Sequence, residues 1–311
     1  MKEKVLIAAP IHAVLRHGLE ERGYELIDAL NITQATAAEQ MNTVTGILTS
    51  TRLQLDKKLI DAAPLLKWIG RMGSGMEVID LPYAQQKGIR CFSSPEGNAN
   101  AVGEHALGML LSLTKKITLS HTEIKEGKWL REENRGIELE GKTIGIIGFG
   151  HTGKAFVKKL RGFDMNILAY DKYKQDKTED TLRFCPDLQA IYEQAEIISF
   201  HVPLQQDTHH YFDTAFLQQM QQPFILINTS RGKVVHTDAL VEGLQSGKIK
   251  GACLDVFEEE PLGNMSAEVK EKFMYSLSFP NVVSTPHIAG YSHEALYKMS
   301  KALLDKIVMY V

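Results

Sequence analysis

Residues 143–153 read TIGIIGFGHTG, a short β-branched apolar run that breaks at Gly148, Gly150 and Gly153 and resumes as a helical pattern over 152–161. Few folds accept that succession. Gly148 permits a tight turn, Gly150 lets the backbone approach a bound group, and Gly153 lets the helix pack closely on its strand. The helix start then offers N–H groups and a positive dipole end to phosphates. A second apolar run, 166–170, ends in Asp171, roughly 20 residues on, where an acid meets a ribose 2′-hydroxyl. The unit predicts a doubly wound dinucleotide-binding sheet. Asp171 repels a 2′-phosphate, so NAD is expected over NADP, a preference softened by Lys172 and Lys174.

The same alternation runs along the whole chain. Apolar runs at 143–147, 166–170, 197–201, 224–228, 251–255 and 282–284 read as strands, with helical patterns at 152–161, 187–194, 214–220 and 238–246. Upstream, 5–9, 46–49 and 68–71 read as buried strands. Residues 11–22 and 55–63 read as amphipathic helices closed by Gly23 and Pro64. The expected class is α/β with two doubly wound domains. A flavodoxin-like substrate domain takes 1–97 and 291–311, and a Rossmann NAD-binding domain takes 98–290. Residues 101–119 form one long helical pattern whose stripe 106–113 is too apolar for an open surface. It needs covering by the other domain or a second subunit, which predicts a homodimer. Residues 121–140 read as an extended polar arm.

Charge and composition narrow the partners. Lys and Arg number 35 and Asp and Glu 38, giving a net −3, so nothing suggests a nucleic-acid or polybasic membrane surface. No apolar run approaches the roughly 20 residues that span a bilayer. Val5 opens an apolar strand run soon after Met1, so no secretory signal is expected, and Cys91, Cys185 and Cys253 form no CxxC. A cytoplasmic protein with buried, reduced thiols is expected.

Three further segments carry polar groups at strand ends, where ligands sit in open α/β sheets. They are Asn228-Thr229-Ser230-Arg231-Gly232, the run from Asp255 to Pro261 (DVFEEEP), and Thr285-Pro286-His287-Ile288-Ala289-Gly290. With the glycine turn and His201-Val202-Pro203, they stand in an order that resembles the D-isomer-specific 2-hydroxyacid dehydrogenases over essentially the whole chain. The resemblance implies that Arg231 clamps a substrate carboxylate, His287 is the acid/base and Glu260 orients it. It implies cofactor contacts from Gly148, Phe149, Gly150, His151, Thr152, Gly153 and Asp171. Further contacts are implied from His201, Val202, Pro203, Thr208, Thr229, Ser230 and Gly290, and from Asp255 facing the nicotinamide amide. The chemistry agrees. A guanidinium matches a carboxylate with two charge-assisted bonds, and a histidine backed by a carboxylate is suited to move a proton near neutrality. Glu258 and Glu259 read as solvated. His209 and His210 would point apart on a helix, so no metal site is expected.

A substrate loop is implied at Arg71, Gly73, Ser74 and Gly75, with Asp80 also matching the family pattern. Glu77 and Val78 replace the Asp-Asn pair that the family carries. Thr49-Ser50-Thr51-Arg52 and Tyr291 resemble phosphoglycerate relatives, so Arg52, Arg71 and Arg131 become candidates for a second anionic group. The substrate guess is 3-phosphoglycerate and 3-phosphohydroxypyruvate, in a cleft that closes between the domains. Glyoxylate, hydroxypyruvate or D-lactate chemistry is the alternative. The chain, ending at Val311, is expected to lack the regulatory domain of many such enzymes. Formate dehydrogenases share the scaffold but carry Gln where Glu260 stands. An NAD(H)-sensing binding protein of the same fold is the alternative from another class.

Overall fold

The structure, a computed structural model, describes residues 2–174 and 181–310. Its strands are β1 (Lys4–Ile7), β2 (Glu25–Asp28), β3 (Val44–Thr49), β4 (Trp68–Arg71), β5 (Arg90–Ser93), β6 (Thr143–Ile147) and β7 (Asn166–Tyr170). They continue with β8 (Leu182–Phe184), β9 (Ile197–Phe200), β10 (Phe224–Asn228), β11 (Ile249–Leu254) and β12 (Val282–Ser284). The chain divides into two compact units, Met1–Asn100 with Tyr291–Val311, and Ala101–Gly290.

In the first unit five parallel strands lie in the order β2-β1-β3-β4-β5, the flavodoxin-like arrangement. Alternate residues feed opposite faces, as the two-residue strand period requires. Leu6, Ile47 and Ile69 join one buried cluster, and Val5, Ile7, Leu48 and Trp68 the other. The second face is covered by the helices Ala13–Glu20 and His293–Tyr310, which bring Leu15, Leu19, Leu303, Leu304 and Ile307. Burying each such side chain contributes about 1.5–3 kcal/mol.

The second unit holds seven parallel strands in the order β12-β11-β10-β9-β6-β7-β8, the Rossmann succession. Ile144 of β6 stands opposite Ile167 of β7 and Ile197 of β9. Ile144, Ile146 and Ile227 pack with Phe156 of the helix His151–Leu160. Ile198, Phe200 and Leu226 pack on the other face with Phe212 and Phe216, and with Leu240 and Leu244 of the helix Thr237–Gln245. Strands buried on both faces explain the unbroken apolar runs of β9 and β10.

Two expectations are corrected. The single helical pattern at 101–119 is two helices, Pro95–Thr114 and Ile117–Lys125, parted by Lys116 at a left-handed φ of 53°. The supposed arm at 121–140 therefore begins as helix, and it returns so that Ile137 N donates to Thr114 O at 3.0 Å and caps the first helix. The apolar stripe 106–113 is covered in part by its own unit. Ala106, Met109 and Leu110 are buried among Ile144, Phe156 and Leu160 of their own unit. Gly103 lets the helix Pro95–Thr114 meet the helix His151–Leu160, since a Cβ there would lie 2.9 Å from the Ala155 backbone.

Candidate active site

The glycine turn is built as a cradle. Gly148 has φ 93°, and a Cβ there would stand 2.7 Å from the backbone of His201. A Cβ on Gly153 would stand 2.2 Å from Gly148 O, while nothing lies within 4 Å of the corresponding point on Gly150. Lys154 N donates to Gly150 O at 3.1 Å, so the N–H groups of His151, Thr152 and Gly153 precede the first helical bond and face the opening. Asp171 ties the turn to β7, its Oδ2 accepting from Phe149 N at 2.7 Å and its Oδ1 from Tyr173 N at 2.9 Å. The Phe149 ring points into the core against Phe184. Lys172 pairs with Asp207 at 2.6 Å.

Behind the turn, His201 N donates to Ile147 O at 2.7 Å. Burial pushes the His201 imidazole down to about 3, so it is neutral, with Nε2 on Ser199 Oγ at 2.8 Å. His201 Nδ1 and Thr229 Oγ1 are buried polar atoms without a protein partner among the described residues. Two such atoms beside an open glycine cradle fit a bound dinucleotide. Val202 packs against the core cluster beneath the site. Thr208, expected at the cofactor, closes its own turn by donating to Pro203 O at 2.6 Å and accepting from Gln205 N at 2.7 Å.

Three loops at the strand ends carry the groups expected to act on substrate. Asn228, fully buried, shapes the first. Its Oδ1 accepts from Ser230 N and Ser230 Oγ, and its Nδ2 donates to Arg231 O at 3.0 Å. The Arg231 guanidinium donates to Ser230 O at 2.7 Å. Gly232 lets the second loop lie against the first, since a Cβ there would sit 1.6 Å from Phe257 O. On the second loop, Glu260 Oε1 accepts from Phe257 N at 2.7 Å and its Oε2 lies 2.6 Å from His287 Nδ1. His287 has φ 55°, an uncommon conformation for a residue with a Cβ.

Asp255 explains how that conformation is held. It is 1% exposed, and its Oδ1 accepts from Thr285 Oγ1 at 2.6 Å and Ile288 N at 2.8 Å. Its Oδ2 accepts from Ala289 N at 2.8 Å. His287 N donates to Asp255 O at 2.8 Å. The carboxylate expected to face the nicotinamide thus anchors the segment 285–289, with Gly290 just beyond. His105, from the helix Pro95–Thr114, reaches Thr285 Oγ1 at 2.9 Å. It gave no signal in the sequence, being one histidine in an apolar helical stripe.

Glu258 is a further correction. It is not solvated: its Oε2 accepts from Thr237 N at 2.9 Å and from Thr237 Oγ1, and its Oε1 lies 2.7 Å from His210 Nε2. Partial burial pushes the carboxyl up, but the bonds from Thr237 and His210 outweigh it and hold the group below the usual carboxylate range. Glu259 accepts from Ser266 N at 2.6 Å. His209 and His210 lie in a turn and not on a helix, and their rings stand 3.9 Å apart.

In the first unit, Arg71 ends β4, is 7% exposed, and donates from Nη1 to Met72 O at 2.8 Å. Gly73 has φ 130° and packs on that guanidinium, while its N–H donates to Ser94 Oγ at 3.0 Å. Among the described residues the N–H groups of Ser74 and Gly75 take no hydrogen bond. Val78, in place of the family's Asn, is buried with Leu55 and Leu59, which is why an apolar residue stands there. Asp80 caps the helix Leu81–Gln86 through Tyr83 N at 3.1 Å. Arg52 donates to Leu30 O at 2.9 Å on the surface.

A family model for the NAD-binding domain of D-isomer-specific 2-hydroxyacid dehydrogenases matches residues 107–289. The chain belongs to this family. Among members of the D-2-hydroxyacid dehydrogenases, it is 33% identical to a glyoxylate reductase of Thermococcus litoralis, over 100% of this chain and 94% of that one. It is 32% identical to a D-3-phosphoglycerate dehydrogenase of Archaeoglobus fulgidus over 98% of its own residues, but it spans only 56% of that relative's length. A D-lactate dehydrogenase of Aquifex aeolicus, solved with NAD and lactic acid, superposes with a TM-score of 0.85 at 27% identity, covering 99% of this chain and 95% of that one.

Proposed function

We propose that the chain is an NAD-dependent D-2-hydroxyacid dehydrogenase, acting as a 2-oxoacid reductase with His287 as its acid/base. The observation that carries this reading is the 2.6 Å contact between His287 Nδ1 and Glu260 Oε2. Glu260 accepts the Nδ1 proton, fixes the tautomer and stabilises the imidazolium, so Nε2 is the nitrogen that exchanges a proton with substrate. A bound nicotinamide would supply hydride to the substrate ketone, whose oxygen then needs a proton. His287 protonates that oxygen, and in the reverse direction it takes the hydroxyl proton. Arg231 holds the carboxylate through paired charge-assisted hydrogen bonds. Formate has no hydroxyl proton to move, so a backed histidine argues for a hydroxyacid.

The cradle of Gly148, Gly150 and Gly153 would receive the pyrophosphate at the helix start, and Asp171 the adenosine ribose. The pairing of Lys172 with Asp207 supports NAD over NADP by drawing that cation away. The proposed substrate pair is 3-phosphoglycerate and 3-phosphohydroxypyruvate. It is supported by the name of the Archaeoglobus relative and by two cations at strand ends, Arg52 just after β3 and Arg71 at the end of β4. Glyoxylate or hydroxypyruvate is the second reading, favoured by the near full-length match to a glyoxylate reductase. Among the described residues no helix is long and apolar enough to cross a membrane. The proposed setting is the cytoplasm and the proposed form a homodimer, supported by the exposed Ile117, Ile124, Trp129 and Ile137.

The test is oxidation of NADH, and in parallel NADPH, with glyoxylate, hydroxypyruvate, pyruvate and 3-phosphohydroxypyruvate. Highest kcat/KM for the phosphorylated acid supports the first reading, and highest for glyoxylate the second. Tight NADH binding with no turnover of any acid overturns both and leaves an NAD(H)-sensing protein.

A further inference from the structure

Three side chains outside the proposed hydride-transfer machinery converge from separate loops. His210 lies in the turn after β9, His236 precedes the helix Thr237–Gln245, and Glu258 follows β11. Among the described residues they form a group whose ligand atoms all lie within 4.8 Å of one another, each residue partly buried. We propose that His210, His236 and Glu258 form a binding site for a first-row divalent cation, zinc foremost.

Two imidazoles and one carboxylate are a zinc ligand set that leaves one position to water. Nitrogen donors select against magnesium and calcium, which favour oxygen cages. Zinc bonds of about 2.0–2.1 Å place tetrahedral ligand atoms about 3.3 Å apart. The present spacings bracket that value: 2.7 Å between His210 Nε2 and Glu258 Oε1, and a limit of 4.8 Å across the group. Side-chain rotation therefore suffices to close the site. His210 then carries its proton on Nδ1, and the cation replaces its hydrogen bond to Glu258.

The frame behind the ligands is already fixed. His210 N donates to Lys233 O at 2.7 Å, Phe212 N to Val234 O at 2.9 Å and His236 N to Phe212 O at 2.9 Å, so both histidines ride on one zipped pair of segments. Thr237 holds Glu258 Oε2 and turns Oε1 toward His210, the outer hydrogen bonding by which carboxylate ligands are oriented. The His210 and His236 rings lie 4.4 Å apart. His210 itself sits at φ 51°, a strained conformation retained at the point where its ring meets the other two groups.

The experiment titrates Co2+ into the full, tag-free, metal-stripped chain, follows its visible absorption, and competes it with Zn2+. The expected result is one ion per chain, displaced by Zn2+, with Zn2+ raising Tm by about 5–10 °C at a hundred times Kd. His236→Ala and Glu258→Gln lose about tenfold or more in affinity, while the surface control His17→Ala keeps it. Circular dichroism and NADH affinity check each fold, and His210→Gln repeats the test if His236→Ala does not fold. An absent cobalt spectrum, or wild-type affinity in the His236 or His210 variant, overturns the proposal.

Discussion

Replacing Asp255 with Asn keeps the shape of the buried anchor and removes half its accepting capacity. With the amide oxygen at the Oδ1 position, the bonds from Thr285 Oγ1 and Ile288 N survive as neutral ones. The amide nitrogen then faces Ala289 N, a donor against a donor across 2.8 Å, and Ala289 is 4% exposed, so water does not rescue it. An unsatisfied buried N–H costs about 1–3 kcal/mol, and two weakened charge-assisted bonds bring the total to about 3 kcal/mol. At about 2–4 °C per kcal/mol for a unit of this size, Tm falls by about 6–12 °C. Because His287 sits at a positive φ that this anchor holds, kcat with the best 2-oxo acid falls by about 10- to 100-fold. NADH affinity stays within about threefold, since both carboxylate oxygens are committed to Thr285, Ile288 and Ala289. Differential scanning calorimetry, steady-state kinetics and NADH fluorescence titration measure the three quantities. An unchanged Tm and kcat with a selective loss of NADH affinity would refute the anchoring argument and favour a direct nicotinamide contact.

Other outcomes follow from the same structure. Gly73→Ala must adopt φ 130° and push a methyl into the Arg71 guanidinium, so KM for the 2-oxo acid rises by about tenfold or more while NADH Kd is unchanged; equal KM values would count against the loop. His201 is neutral in the fold down to about pH 3, whereas the unfolded chain protonates near 6.5, so stability falls as pH drops through that window. Urea unfolding of wild type and His201→Gln should therefore show the variant gaining about 2–3 kcal/mol relative to wild type between pH 6.5 and 4.5, and parallel curves contradict it. Sedimentation at micromolar concentration should show a dimer, and Ile124→Glu with Trp129→Glu a monomer; a monomeric wild type removes the interface.

Much of this was legible from residues alone, and the gaps have physical causes. β6, β7, β10 and β12 stand where the apolar runs put them, because each run is bounded by polar residues or glycine. The strands that escaped, β2, β5 and β8, all lie at sheet edges. Their sequences ELID, RCFS and LRF carry the charges that edges tolerate, so no apolar run marks them. The helix Ala267–Leu277 also escaped, although Ser266 caps it through Val269 N. The pairing of Glu260 with His287 was readable because family motifs name both. The roles of Asp255, Glu258 and His105 were not, since each depends on a partner at least 21 positions away.

The proton-transfer role of His287 is tested most directly by His287→Ala, with kcat for the best 2-oxo acid and NADH Kd measured on the same protein. The expected result is kcat lower by about 100-fold or more and Kd within about threefold of wild type. An unaltered kcat with every acid in the panel contradicts it.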